Sequence, residues 1–408
     1  MKLLVWFGAF FALGWSVVAA PMIIDHTCVD RYTNLTSAEI ARVKTMWASV
    51  IGASHSIGYR VGCQLLENVD SRFGVNVVDA GAPEPYTTNY LRFSRAMRDF
   101  RYNQWSYGGS EATWYSMTSS VSEVQAHISY CNTNGLALGA FCFGWSWQPS
   151  WQNVLTTPVD PEYQVRWSGS SAGGPDGNLA WGLDADDFSL TGNRVCMQTY
   201  LDATEAYRRH CRSNGYPTTV MFSTAPPIDY TSENGYQVFL KNQYIRSYVS
   251  NTTDGVLFDF ADILCWNDGG NQATSRWTDY GGSLRVFPII HGDNLRNLDG
   301  SSGETNSPDY HIGERGALRL GKALWYALSR ISEPKPDLSV AISVSANSNT
   351  ILQWASQPGG LYSVLQTTNL ESDDWTVLIS GIAATPPMNS YTGTVNQAQS
   401  AWFRVRKD

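Results

Sequence analysis

The order of apolar and polar positions divides the chain into two styles of patterning. Over residues 21–331 strand-length apolar runs alternate with amphipathic helical stretches; beyond 338 short alternating strands follow one another. Thr36-Ser37-Ala38-Glu39 has the form of a capping box and predicts a short helix through Val43. Met46-Trp47-Ala48-Ser49-Val50-Ile51 is the first strand-length run. It breaks at the small-residue turn Gly52-Ala53-Ser54-His55-Ser56-Ile57-Gly58 and resumes as a helix carrying Cys63, Leu65, Leu66 and Val69. Val75-Asn76-Val77-Val78-Asp79-Ala80-Gly81 predicts a second strand, and 136–143 a third that ends at Gly144-Trp145-Ser146-Trp147. Between them a helix over 119–130 is closed by Asn132-Thr133-Asn134-Gly135. Residues 148–193, rich in Gly, Ser, Asp and Trp, form a long excursion of the kind that usually carries function. A helix over 196–212, a strand over 218–224, a helix over 235–249 and a fifth strand over 255–263 follow. A loop region then holds His291 and His311, and a last helix over 316–331 turns Leu320, Ala323, Leu324, Ala327 and Leu328 to one side.

Five strands alternating with helices predict an α/β fold: a parallel five-stranded sheet with helices on both faces. Ligands of such sheets bind at the carboxyl ends of the strands, and Ser54, Gly81 and Gly144 all fall at predicted strand ends. Ser332-Glu333-Pro334-Lys335-Pro336-Asp337 reads as a linker, with two prolines and three charges. The strands beyond it, separated by turns such as Pro358-Gly359-Gly360, predict a small C-terminal antiparallel β-sandwich. The expected organisation is a signal peptide over 1–20, an α/β domain over 21–331, a linker over 332–338 and an accessory module over 339–408. The signal rests on Lys2, an apolar stretch to Val18, and Val18-Ala19-Ala20 before Pro21. Secretion, with no stable membrane span once the signal is removed, is the expectation.

Composition sharpens this picture. Charged residues are 16% of the chain, against about 25% usually, while 13% are aromatic, with 16 Trp and 21 Tyr. Many aromatics neighbour Gly, Ser, Asn or Asp, as in Trp105-Ser106-Tyr107-Gly108-Gly109. Core packing accounts for about half; the sharper reading of such clusters is sugar binding, since a ring face packs on a pyranose while polar neighbours bond its hydroxyls. A net charge of −8 and the lack of a basic cluster argue against a nucleic-acid partner. The seven Cys are odd in number and show no zinc spacing, so at least one is unpaired within the chain and no metal is expected.

A serine between a strand's carboxyl end and a helix's amino end is suited to nucleophilic work, because free N–H groups there hold developing negative charge. Its hydroxyl needs an adjacent base, usually His oriented by a carboxylate. Of the six His, His127 and His210 lie on predicted helices. His311, after Asn306-Ser307-Pro308-Asp309-Tyr310 and before the last helix, is the best base. Ser56 competes with Ser54 as nucleophile; in that register Ser54 only caps the helix.

Gly52-Ala53-Ser54-His55-Ser56-Ile57-Gly58 resembles the first block of the SGNH (GDSL-type) hydrolases, Gly-Asp-Ser-x-x-x-Gly, with Ala53 in place of Asp. The resemblance extends in block order over about Met46 to Ile331 and implies a flavodoxin-like sheet. It implies Ser54 as nucleophile and, with Gly81 and Ser146, as an oxyanion donor. Ser146 stands where the family has Asn. It implies His311 as the base, with Pro308 where the family has Asp; Asp309, or another acid such as Asp293, then orients the imidazole, or a dyad suffices. The C-terminal module resembles fibronectin-type sandwiches appended to secreted enzymes. The activity implied is a cofactor-independent carbohydrate esterase acting on an acylated polysaccharide, with Trp145, Trp147 and His55 at the sugar. Two alternatives remain open: a catalytically degenerate carbohydrate-binding protein on the same scaffold, or a glycoside hydrolase or polysaccharide lyase using Asp184, Asp186 and Asp187, or Asp259 and Asp262.

Overall fold

The computed structural model describes residues 21–52, 54–146, 148–149, 157–169, 172–227, 232–252, 254–303, 311–333, 340–344, 349–356, 361–368, 375–385, 388–394 and 401–407. The chain divides into two compact units with a boundary near Lys335. The larger is built on seven parallel strands: β1 (Met22–Ile24), β2 (Trp47–Gly52), β3 (Val75–Val78), β4 (Leu91–Ser94), β7 (Leu138–Gly144), β8 (Thr219–Ser223) and β9 (Val256–Phe258). Their order across the sheet is β1-β9-β8-β7-β2-β4-β3. β5 (Ala96–Asp99) and β6 (Gln104–Tyr107) form a hairpin outside the sheet, as do β10 (Thr274–Thr278) and β11 (Leu284–Pro288).

The helices are α1 (Ser37–Lys44), α2 (Ile57–Val69), α3 (Thr118–Thr133), α4 (Phe188–Thr191), α5 (Met197–Asn214), α6 (Glu233–Ser250), α7 (Phe260–Cys265) and α8 (Glu314–Ile331). Alternation along the central strands sorts them onto two faces. Ala48 and Val50 of β2 point to a core shared with α1, α2 and α8, while Trp47 and Ile51 point to one shared with α3, α5 and α6. α1 opens with the expected capping box, Thr36 with Glu39. α2 and α8 cross at backbone contact: a Cβ on Gly62 would lie 1.9 Å from the Ala317 carbonyl oxygen, and one on Gly321 2.3 Å from the Gly62 carbonyl carbon. Glycine at both positions is what permits that approach.

The sheet has seven strands, two more than expected, and the strand beside β2 is β4, with the Val75 strand outside it at the edge. Leu91-Arg92-Phe93-Ser94 escapes an apolar-run reading because half of it is polar, yet all four residues are buried. Arg92 is accommodated by donating to the carbonyls of Glu84 and Thr45, both at 3.3 Å. The expected strand over 255–263 stops at Phe258, because Asp259 caps α7 by accepting the Asp262 N–H at 3.1 Å.

The long excursion is folded inward in its described parts. Trp167 and Trp181 are fully buried, and the buried Lys241 ammonium of α6 donates to the Pro149 and Ser168 carbonyls at 2.6 and 2.8 Å. All seven cysteines are buried free thiols. Among the described residues no helix is long and apolar enough to cross a membrane.

The C-terminal unit has two antiparallel sheets. One is β12 (Val340–Val344), β13 (Asn349–Ala355) and β16 (Met388–Thr394); the other joins β14 (Leu361–Thr367), β15 (Thr376–Ala383) and β17 (Trp402–Lys407). Leu352, Trp354, Tyr362, Val364 and Val405 form one buried cluster drawn from both sheets.

Candidate functional site

β2 and β7 run side by side to their last residues, Gly52 opposite Gly144. Gly52 has φ +143°, and a Cβ there would lie 1.8 Å from the Gly144 carbonyl oxygen. Only glycine fits both constraints, which explains the residue that opens the turn. The chain then makes a single 3-10 turn, Ser54–Ser56, and enters α2 at Ile57.

Four side chains meet there. Ser54, half-buried, has its Oγ 2.7 Å from Oγ of Ser146, two residues beyond β7. Ser146 Oγ lies 3.4 Å from Nδ1 of the buried His55. The His55 ring lies 4.7 Å from that of His311, tilted by 31°, and Phe260 of α7 meets it edge-on at 6.5 Å. Burial, and after it the charge of His311, holds the His55 imidazole well below its ordinary pKa, so it is neutral at neutral pH. His311 is in the left-handed region, φ +52°, a conformation that non-glycine residues rarely adopt and that recurs at functional sites.

α2 starts directly after the Ser54 turn and α8 starts three residues after His311. The Gly62–Gly321 contact therefore sets how closely the serine and the histidine approach. His55 and His311, more than half the chain apart, thus lie ring to ring at one edge of the sheet.

Ser56 is fully buried and donates its hydroxyl to the Gly52 carbonyl at 3.0 Å, which leaves Ser54 as the accessible hydroxyl of the turn. Gly81 follows β3, the edge strand, so it is not at the end of the strand next to β2. Trp145, expected at the sugar, is buried: its ring is 4.7 Å from Tyr200, and its Nε1 donates to the Ser223 carbonyl at 2.8 Å. Asp293 engages His291 Nδ1 at 3.5 Å and Asn267 at 2.9 Å. Ala53, Trp147, Asp309, residues 1–20 and most of the linker lie outside the described residues.

Carboxylates of the glycosidase alternative have partners within the fold. Asp187 accepts the Leu183 N–H at 2.5 Å and the Trp167 indole N–H at 3.2 Å; Asp184 accepts the Asp186 N–H at 3.0 Å. Burial raises Asp187 to about 6. Asp259 pairs with Arg246 at 2.6 Å and accepts the Thr224 hydroxyl at 2.9 Å.

One group among the described residues has metal-ligand spacing: Asp25, His26 and Asp262, each with an atom within 4.8 Å of the others. Each already has a partner. His26 Nδ1 lies 2.5 Å from Asp262, and Asp25 accepts the Thr27 N–H and hydroxyl at 2.9 and 2.7 Å.

Pattern reading missed Tyr107 and the two arginines near it. Tyr107 donates its hydroxyl to the Gly52 carbonyl at 2.5 Å, and Gly52 donates its N–H to the Gly108 carbonyl at 2.8 Å. The available signal was the Trp105-Ser106-Tyr107-Gly108-Gly109 cluster, which periodicity alone does not attach to any strand end.

No family model matches the chain, and no curated protein matches it. Among solved structures it is similar to a xyloglucanase of glycoside hydrolase family 44 from Paenibacillus polymyxa, with 8% identity, over 71% of this chain and 50% of that one, at TM-score 0.21. A second is Cel44A, a family 44 endoglucanase from Clostridium thermocellum, with 9% identity, over 87% and 62%, at TM-score 0.21. The chain thus spans about half the length of the first and under two thirds of the second. Overlaps this small define no shared fold.

Proposed function

We propose that the chain is a secreted serine hydrolase of the SGNH type that cleaves an ester, most plausibly an acetyl or other acyl group on a polysaccharide. The carrying observation is the cluster at the β2 and β7 ends: a hydroxyl at the start of a helix, 2.7 Å from a second hydroxyl, beside two histidines whose rings are 4.7 Å apart. Strand order supports it. With β2, β4, β7, β8 and β9 counted as first to fifth, the strands lie 2-1-3-4-5, the flavodoxin-like order, and the order reverses between β2 and β7. The C-terminal sheets fit a β-sandwich accessory module.

In this reading Ser54 Oγ attacks the acyl carbon while His311 takes its proton and returns it to the departing sugar hydroxyl. Water then attacks the acyl-enzyme, giving its proton to His311, and Ser54 is restored. The oxyanion is held by the Ser54 N–H, in the 3-10 turn that leads into α2, and by the Ser146 hydroxyl. Gly81, on the edge strand, is left out. The test is hydrolysis of p-nitrophenyl acetate and acetylated xylan. Ser54→Ala should lower it by on the order of a thousandfold or more. An undiminished rate refutes the assignment.

A degenerate, glycan-binding scaffold is the second reading. One observation favours it: the Ser54 hydroxyl is paired with Ser146, a serine where the family has Asn. It predicts glycan binding that survives Ser54→Ala and no turnover in the parent.

A further inference from the structure

Beside the Ser54 turn lie two guanidinium groups facing one carboxylate. Arg60, in the first turn of α2, is 2% exposed and donates back to the Ser56 carbonyl at 3.3 Å. Arg95, directly after β4, stacks 3.8 Å from the centre of the Tyr107 ring. Tyr107 in turn holds the Gly52 carbonyl, two residues before Ser54. Arg60 lies six residues after Ser54 and Arg95 directly follows the strand beside β2, so the pair lies at the same carboxyl edge of the sheet as the nucleophile.

The carboxylate is Asp79, directly after β3. Arg95 holds both of its oxygens at 2.7 Å. Arg60 Nη2 is 3.3 Å from Asp79 but has no hydrogen-bond partner among the described residues, although the side chain is almost entirely buried. Two features mark this as more than a structural ion pair. A buried guanidinium without full hydrogen bonding is costly, and one carboxylate leaves the pair with a net positive charge. Burial and the neighbouring charge of Arg95 lower the Arg60 pKa to about 10, the signature of a cation short of counter-charge. Asp79 itself is 56% exposed, so moving its carboxylate into water costs little.

We propose that Arg60 and Arg95 form a subsite for an oxyanion of the substrate, a carboxylate or sulfate on the acylated glycan, which displaces the Asp79 carboxylate. This rests on the reading of Ser54 as nucleophile for the position of the subsite relative to the scissile ester. It does not rest on it for binding. An acidic glycan entering here sets two hydrogen-bonded guanidiniums against its charge, with Tyr107 flanking the sugar, while a neutral glycan leaves Asp79 in place.

The test is equilibrium titration of the full chain with three non-acylated probes: an oligogalacturonate, a sulfated galactan oligosaccharide and a neutral xylo-oligosaccharide. The expected result is binding of one or both anionic probes at least tenfold tighter than the neutral one, weakened at higher salt. The two anionic arms distinguish carboxylate from sulfate. Arg95→Gln should weaken the anionic probe about tenfold or more, and Asp79→Asn should tighten it several-fold; Arg95 is chosen because the buried Arg60 also supports the fold. Equal affinity for all three probes, or no change in Arg95→Gln, overturns the subsite. Since no ester is cleaved in this experiment, charge-selective binding without activity on acylated glycans would sink the hydrolase reading alone. Activity without charge-selective binding would sink the subsite alone.

Discussion

Two strand ends of the same sheet carry histidine clusters, and they differ in what surrounds the ring. At the β1 and β9 ends, His26 stacks on Trp266 at 4.1 Å and pairs with Asp262 at 2.5 Å, next to a cavity of about 390 Å³ lined by Asp25, Arg246 and Asp259. That end has an imidazole, an oriented acid and room for a ligand. Its nearby hydroxyls donate to carboxylates, Thr27 to Asp25 at 2.7 Å and Thr224 to Asp259 at 2.9 Å, whereas Ser54 pairs with a second hydroxyl. At the β2 and β7 ends the half-buried Ser54 hydroxyl opens a helix and meets a second hydroxyl and two imidazoles. A base with its acid is the more frequent arrangement; a hydroxyl at a helix amino end beside a base is the rarer one. The comparison teaches that, on the proposed reading, the position of a hydroxyl and not the size of a cavity distinguishes the two ends.

Exchanging the histidines breaks the comparison most sharply. His311→Gln should reduce ester hydrolysis on the order of a thousandfold, while His26→Gln should change it by about twofold at most. Equal losses in the two variants would contradict the distinction. The next effect is on packing. Gly62→Ala forces a methyl group against the Ala317 carbonyl and should destabilise the domain by about 1–3 kcal/mol, read as a lower thermal midpoint. It should also lower activity beyond the unfolded fraction, because α2 and α8 begin directly after the segments that hold Ser54 and His311. A Gly62→Ala chain as stable and active as the parent would show that the crossing does not set the site.

How far the pattern of the chain discloses this site follows from the kind of interaction involved. The Ser54 turn was legible because an apolar run, a small-residue break and an amphipathic helix are all local signals. His311 was legible from its place before the last helix, and the carboxyl-edge rule places it at the end of the sheet where its ring lies beside that of His55. β4 was not, because a buried Arg92 that donates to two carbonyls looks polar in one dimension. Gly81 was misplaced for that reason, since the unrecognised strand separates it from β2. Trp145 looked like a sugar platform because neighbouring Gly and Ser say nothing about burial. Arg60, Arg95 and Asp79 come together only through the strand order, which is a tertiary fact.

The smallest effect is electrostatic and separates buried from reactive histidines. His127 is fully buried, accepts the Arg98 N–H on Nδ1 at 3.1 Å, and is pushed by burial down to about 3. A folded-state pKa below the unfolded value gives stability that is present above about pH 6.5 and lost as pH falls toward 3. Between pH 6.5 and 4 the parent should therefore lose about 1 kcal/mol per pH unit more than a His127→Phe variant, read from urea midpoints. Parallel pH profiles would contradict it.

The most direct measurement of the central claim is covalent capture of the nucleophile. The full chain is incubated with a fluorophosphonate probe, digested, and the modified residue identified by mass spectrometry. A single adduct on Ser54, lost in His311→Gln, is the expected result. No adduct, or an adduct on Ser56 or Ser146 with Ser54 untouched, would contradict the assignment of Ser54 as the attacking hydroxyl.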